Sequence, residues 1–334
     1  MNHRDYECDS KLNLKSQKGS SAYSFMGYAV LAVLVVLTLF VFPWEQLLGP
    51  KTSADVAAGN DLINKKQYDK AIVFFDKALK ADPNDSAALV GRSRAFLHLG
   101  DTAKALNDVN AAIQKAPNNA AAYGQRGVLL KMKQQTPEAL MDFSKAVELD
   151  NGYAWAYAQR ADIYSRSQDQ EKALRDIDKA LKSKPNFVEA LRLRAWILSR
   201  MGKCKDASED FQKIAKLSPN DAWSIQDTAW FLLTCPDEKL QDPTKAMELA
   251  QKAAQMSGGD QDGVFQETLA EAFFKQGDSL KAVEHQKKAI EMGSKKCPDG
   301  SCVKEMQDRL KKYELAARQE VRTSYEILPV DSAK

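Results

Sequence analysis

A period of 34 residues constrains this chain more than any other feature. Pro83, Pro117, Asn151, Pro185 and Pro219 are spaced by 34, and so are Ala71, Ala105, Ala139, Ala173 and Ala207. Between them recur Phe75, Val109, Phe143, Ile177 and Phe211, followed by Ala78, Ala112, Ala146, Ala180 and Ile214. A fixed interval of this length marks one supersecondary unit repeated in tandem. No single unit buries its apolar face alone, so the units must stack. In the first unit the spacing predicts helices over residues 54–64 and 68–80. The link Lys65-Lys66-Gln67 between them is short enough only for an antiparallel turn. Gly100 and Gly202 mark the same turn in later units, and Asp82-Pro83-Asn84-Asp85 closes one unit and caps the next.

Small residues explain how such helices pair. Gly59, Ser93, Gly127, Ala161 and Ala195 recur on the first helices, opposite the alanine series Ala71 to Ala207 on the second helices. Helices approach at the short end of the usual spacing of about 8–10 Å only where the contacting side chains are small. This pattern resembles the tetratricopeptide repeat, a helix-turn-helix unit of the same length. The resemblance implies an all-α, right-handed superhelical solenoid of antiparallel helix pairs. Five regular repeats are expected over 52–219 and two atypical ones over 220–293, with an insertion at 234–243. A cysteine turn at 294–302, a capping helix at 303–323 and a flexible tail at 324–334 are expected to follow.

The resemblance also implies a protein or peptide partner, met on the inner wall formed by the first helices. Carried onto this chain, the contact positions include Asn60, Arg94, Lys131, Trp155, Arg192 and Trp196. The two tryptophans are the candidate anchors, because tryptophan and arginine dominate interface energies. Each has a second reading, as a side chain packed within the helix stack. Some members of the family grip a terminal carboxylate with a clamp of basic and asparagine side chains. Here only Asn60 matches it. Val56, Gly91, Ala121 and Gln125 occupy the other positions, so the clamp is not expected.

Charges recur at the same interval. Arg92, Arg126, Arg160 and Arg194 lie on first helices, and Asp108, Asp142, Asp176 and Asp210 on second helices. The first unit has Ala58 and Phe74 instead, so both charges are absent together. That pairing predicts an ion pair between each Arg and an Asp of its own or the adjacent unit; a basic strip for an acidic ligand is the alternative. Lys plus Arg is 48 and Asp plus Glu is 45, a net charge of only +3, and the two signs alternate along the helices. A nucleic-acid partner, which calls for positive charge gathered on one face, is not expected.

Metal, cofactor and catalytic residues are not expected either. The chain has only His3, His98 and His285, and no phosphate-binding or zinc-binding motif. No nucleophile stands with a base and an orienting group. Cys297 and Cys302 are spaced to close a small disulfide loop. Cys204 and Cys235 sit near helix turns of adjacent units, where they either pair or are buried as thiols.

Finally, no charged residue occurs between Lys18 and Glu45. The apolar core at 25–42 spans about 27 Å as a helix. Tyr23 and Trp44 flank it, and Lys11, Lys15 and Lys18 precede it. The expectation is a single-pass membrane protein. It comprises a cytoplasmic tail at 1–22, a span at 23–44, a linker at 45–51 and the repeats on the exported side, periplasmic if bacterial. The expected role is an anchored scaffold supporting assembly or quality control of an envelope complex. A self-associating spacer and an organelle-surface receptor with cytosolic repeats are the alternatives.

Overall fold

Asp and Asn side chains open many of the helices. Asp85 accepts from the backbone N–H groups of Ala87 and Ala88 at 3.0 Å, and Asp101, Asn119, Asp169 and Asp221 cap later helices in the same way. Each satisfies a donor that the first helical turn leaves unpaired. A computed structural model describes residues 51–257, 263–296 and 303–326. Fifteen α-helices make up these segments. They are α1 (Lys51–Asn64), α2 (Tyr68–Ala81), α3 (Ser86–His98), α4 (Thr102–Lys115), α5 (Ala120–Met132), α6 (Thr136–Leu149), α7 (Ala154–Arg166) and α8 (Gln170–Ser183). Then come α9 (Val188–Arg200), α10 (Cys204–Leu217), α11 (Ala222–Thr234), α12 (Pro243–Met256), α13 (Gly263–Lys275), α14 (Ser279–Lys296) and α15 (Lys304–Glu326). The chain is an all-α solenoid. Each helix packs on the next, and α1–α3, α3–α5, α7–α9 and α11–α13 also touch across successive units.

The core follows the 34-residue period. Ala71, Ala105, Ala139, Ala173 and Ala207 are fully buried, as are Phe75, Val109, Phe143 and Ile177. Phe75 shows why the small residues are needed. A Cβ added at Gly59 of α1 would lie 2.7 Å from its ring, and one at Gly91 of α3 2.3 Å. The ring is therefore held between two bare stretches of helix backbone. Gly127 gives Phe143 the same room on one side, at 2.9 Å.

The turn inside each of the first five units passes through the left-handed region at one position. Lys66, Gly100, Gln134, Gln168 and Gly202 have φ of 58°, 84°, 61°, 63° and 75°. Glycine takes this conformation freely, and the other three residues bear a steric cost there.

The sixth unit breaks the pattern. A short 3-10 turn at Glu238–Leu240 lengthens the connection between α11 and α12, and the amide of Asp242 returns to the carbonyl of Leu232 at 3.1 Å. A separate core of Ile225, Ala229, Leu233, Ala246, Ala250 and Phe265 begins here. At the far end, α15 packs on α14. Its Tyr313, fully buried, donates to Glu271 of α13, and Arg309 pairs with Glu267. The helix continues to Glu326, into the region read as tail.

The single-pass membrane localisation is corrected here. No helix among the described residues is long and apolar enough to cross a membrane. Charged residues interrupt every one of these helices. The span expected at 23–44 lies outside the described residues. The anchor, the cytoplasmic tail and the exported or periplasmic placement are withdrawn, and with them the envelope-complex role drawn from the anchor.

Candidate functional site

Four arginines bind the units together. Arg92 donates from Nε and Nη2 to Asp108 at 2.7 and 2.8 Å, and Arg126 to Asp142 at the same two distances. Arg160 reaches Asp176 at 2.6 and 2.8 Å, and Arg194 reaches Asp210 at 2.8 and 2.7 Å. Each pair joins the two helices of one unit, and the aspartates are buried. The remaining Nη1 points back to the preceding unit. It finds Asp76 at 2.6 Å, Asn110 at 3.3 Å, Ser144 at 3.0 Å and Asp178 at 3.1 Å. These acceptors are themselves spaced by 34. The arginines are thus tied within their own fold. Hydrogen bonding to Asp108 holds the Arg92 guanidinium above its usual range, and Asp142 and Asp176 do so for Arg126 and Arg160. The ladder ends where the register places Thr228, whose hydroxyl donates to the carbonyl of Ser224 at 2.9 Å.

Two hollows lie along the row of first helices. One, of about 500 Å³, is lined by Val90, Arg94, Leu97 and His98 of α3, Ala121, Gln125 and Val128 of α5, and Tyr153 with Trp155 at the start of α7. The other, of about 260 Å³, is lined by Lys131, Gln159, Asp162, Glu189, Arg192 and Trp196 among others. Asn60 is half-buried on α1 and belongs to neither lining.

Both tryptophans are half-buried, so their two readings combine. Trp155 meets Phe143 edge-on at 6.3 Å and stacks on Tyr153 at 5.8 Å, while also facing the larger hollow. Trp196 meets Phe211 edge-on at 5.5 Å and faces the smaller one.

The charges differ in how free they are. Lys131 donates to Gln159 at 2.7 Å and to Asp162 at 3.3 Å. Arg192 donates to Ser224 at 3.1 Å and contacts Asp221 at 3.4 Å. Its Nε also comes within 2.5 Å of Asp227 Oδ2, off the line of a hydrogen bond, so neither atom has a hydrogen-bond partner. Burial pushes the Asp227 carboxyl up to about 6, against the pull of Arg192 and Trp196. Periodicity carries no signal for this group, because it sits in the first unit that departs from the period. Among the described residues, no three His, Cys, Asp or Glu side chains come together as a metal-holding group.

Comparison with known proteins agrees with this geometry. A tetratricopeptide repeat family matches residues 62–126, and the family described as the N-terminal TPR repeats region of Psidin matches 163–294. The chain carries tetratricopeptide repeats. A curated relative, the outer dynein arm-docking complex subunit 4 of Danio rerio, is 38% identical over 68 residues. That stretch is 20% of this chain and 14% of the relative, far less than the relative's full length. Among solved structures, the hetero-tetramer Cut9-Hcn1 of the APC/C matches 76% of this chain and 48% of its own, with TM-score 0.64 and 12% identity. PilF of Pseudomonas aeruginosa matches 66% and 97% of the two chains, with TM-score 0.55 and 17% identity. A tetratricopeptide repeat protein of Parabacteroides merdae matches 80% and 100%, with TM-score 0.52 and 18% identity. These likenesses show the fold. Tetratricopeptide repeats act as protein-interaction scaffolds.

The repeats also carry a cross-link. Cys204, at the start of α10, and Cys235, just after α11, form a disulfide with their Cα atoms 6.2 Å apart. It joins the fifth repeat to the sixth, next to the enlarged connection. Cys297 and Cys302 lie outside the described residues.

Proposed function

We propose that this chain is a protein-interaction scaffold whose repeats receive segments of a partner along the row of first helices. The observation that carries the reading is the position of Trp155 and Trp196. Each has one edge packed in the stack and the rest of the ring lining a hollow. A half-packed tryptophan offers a large, rigid contact at little entropic cost. Such residues dominate the binding energy of many interfaces. Lys131 and Arg192, held by their own neighbours, line the smaller hollow with Trp196. The relative found in a hetero-tetramer lends the reading further support, by analogy of fold.

Affinity purification of the full chain, compared with the Trp155→Ala/Trp196→Ala variant, tests it. Loss of an interface tryptophan removes about 2 kcal/mol or more, a drop of roughly 30-fold in affinity. A thermal melt of the same variant separates lost binding from lost packing. Retention of every captured partner by a folded double variant would refute the assignment, as would cross-links only between copies of this chain.

A further inference from the structure

One cation on the inner wall is left without a counter-charge. Arg94 is exposed on α3, and among the described residues it has neither an ion pair nor a hydrogen bond. The other two cations of the wall, Lys131 and Arg192, are engaged by Asp162 and by Asp221 and Asp227. Around Arg94 stand Val90, Leu97, Ala121, Val128 and the rings of Tyr153 and Trp155, with His98 and Gln125 as the other polar side chains of the lining. Tyr153 adds a phenol. Burial raises its pKa even against the pull of Arg94, so near neutral pH it remains an O–H donor. Gly124 sets the depth of this wall. A Cβ there would lie 3.1 Å from the Tyr153 ring and 3.2 Å from that of Trp155, so both rings rest against bare backbone.

A guanidinium beside a phenol O–H and apolar walls suits a carboxylate, which accepts strong charge-assisted hydrogen bonds. A volume of about 500 Å³ has room for that group together with a large apolar side chain. A long polyanion fits poorly. The neighbouring hollow sets Asp162 and Glu189 against Lys131 and Arg192, so positive charge does not continue along the row.

We propose that the Arg94 hollow takes a peptide segment of a partner protein that carries an Asp or Glu within about one helical turn of a large aliphatic or aromatic side chain. The carboxylate meets Arg94, and the apolar side chain lies against Val128 and Trp155. This rests on the inner row being the docking surface.

The test is selection of a random 12-residue phage-displayed peptide library on the full chain, with anisotropy titration of the enriched peptides after synthesis. The expected peptides pair an acidic residue with a nearby large apolar one. They weaken at least tenfold on Arg94→Gln and less on Arg94→Lys, and selection on Arg94→Glu replaces the acid with Lys or Arg. Arg94 is exposed, so an unchanged melting temperature accompanies these variants. Peptides that ignore Arg94→Gln but are lost with Trp155→Ala would overturn the acidic ligand and leave the docking surface standing. Absence of enriched peptides, or peptides indifferent to both changes, would overturn both.

Discussion

Removing Arg160 tests what the charged ladder contributes. This arginine is the most enclosed of the four, with 15% of its side chain exposed, opposite Asp176 with 6%. Arg160→Ala deletes two charge-assisted hydrogen bonds within the unit and the bond to Ser144 in the unit before. It leaves the Asp176 carboxylate buried without its counter-ion. Breaking a buried pair costs about 3–5 kcal/mol. The residual exposure of this pair brings the expectation to the lower end, about 3 kcal/mol. Arg160→Met/Asp176→Leu removes both charges at similar bulk and is expected to recover most of that loss. Ser144→Ala deletes one bond from the guanidinium to an uncharged acceptor and should cost about 1–2 kcal/mol. Urea unfolding followed by circular dichroism measures all three. Stacked repeats couple mainly to their neighbours, so a nearest-neighbour fit suits these curves better than a two-state one. An Arg160→Ala chain within about 0.5 kcal/mol of wild type would refute the reasoning. A double variant as weak as the single one would do the same.

Three further outcomes are expected. Gly91→Ala drives a methyl into the Phe75 ring, where its Cβ would stand at 2.3 Å. Overpacking of about 1–3 kcal/mol should outweigh the better helix propensity of Ala, and Phe75→Leu in the same chain should recover part of the loss in a thermal melt. Reducing Cys204–Cys235, whose sequence separation is 31, releases a loop whose closure contributes about 3.5 kcal/mol; an unchanged urea midpoint with and without dithiothreitol would contradict this. Asp227 holds its proton up to about pH 6 in the fold, whereas the unfolded chain releases it near 3.8. The native state therefore binds the extra proton between these values, and stability falls as pH rises through that window, by about 2–3 kcal/mol. Asp227→Asn should flatten that part of the profile, and parallel profiles for variant and wild type would rule the effect out.

Much of the fold could be read from spacing because helix pairing depends on small residues, and small residues recur visibly. Ala71 and its equivalents mark the close contacts, and the helices α2, α4, α6, α8 and α10 all start at one register. The turn was legible from glycine at Gly100 and Gly202 and from the short link at Lys65-Lys66-Gln67, but its left-handed backbone was legible only at the glycines. Lys66, Gln134 and Gln168 adopt the same backbone with side chains that advertise nothing. Less of the candidate site could be read. Periodicity locates Lys131, Arg192 and Arg94 on one row, but it cannot tell which of them the chain itself neutralises. That depends on Asp162 and Asp227, brought near by the crossing of helices from different units. Pairing within the unit and with the adjacent one were both open from the spacing, and that each ladder arginine does both was hidden for a related reason. The backward acceptors, Asp76, Asn110, Ser144 and Asp178, differ in type, so the eye finds no column of like residues.

That mixture of acceptors has a mechanical consequence. Between the first and second units, and between the fourth and fifth, the backward rung ends on a carboxylate; at the two joints in the middle it ends on an amide or a hydroxyl. All four rungs start from a guanidinium and are charge-assisted, but only the outer two also join opposite charges, and their carboxylates are largely exposed. Salt screens exposed ion pairs, so raising ionic strength should loosen the joints at the two ends of the array before those around the third unit, beside Trp155.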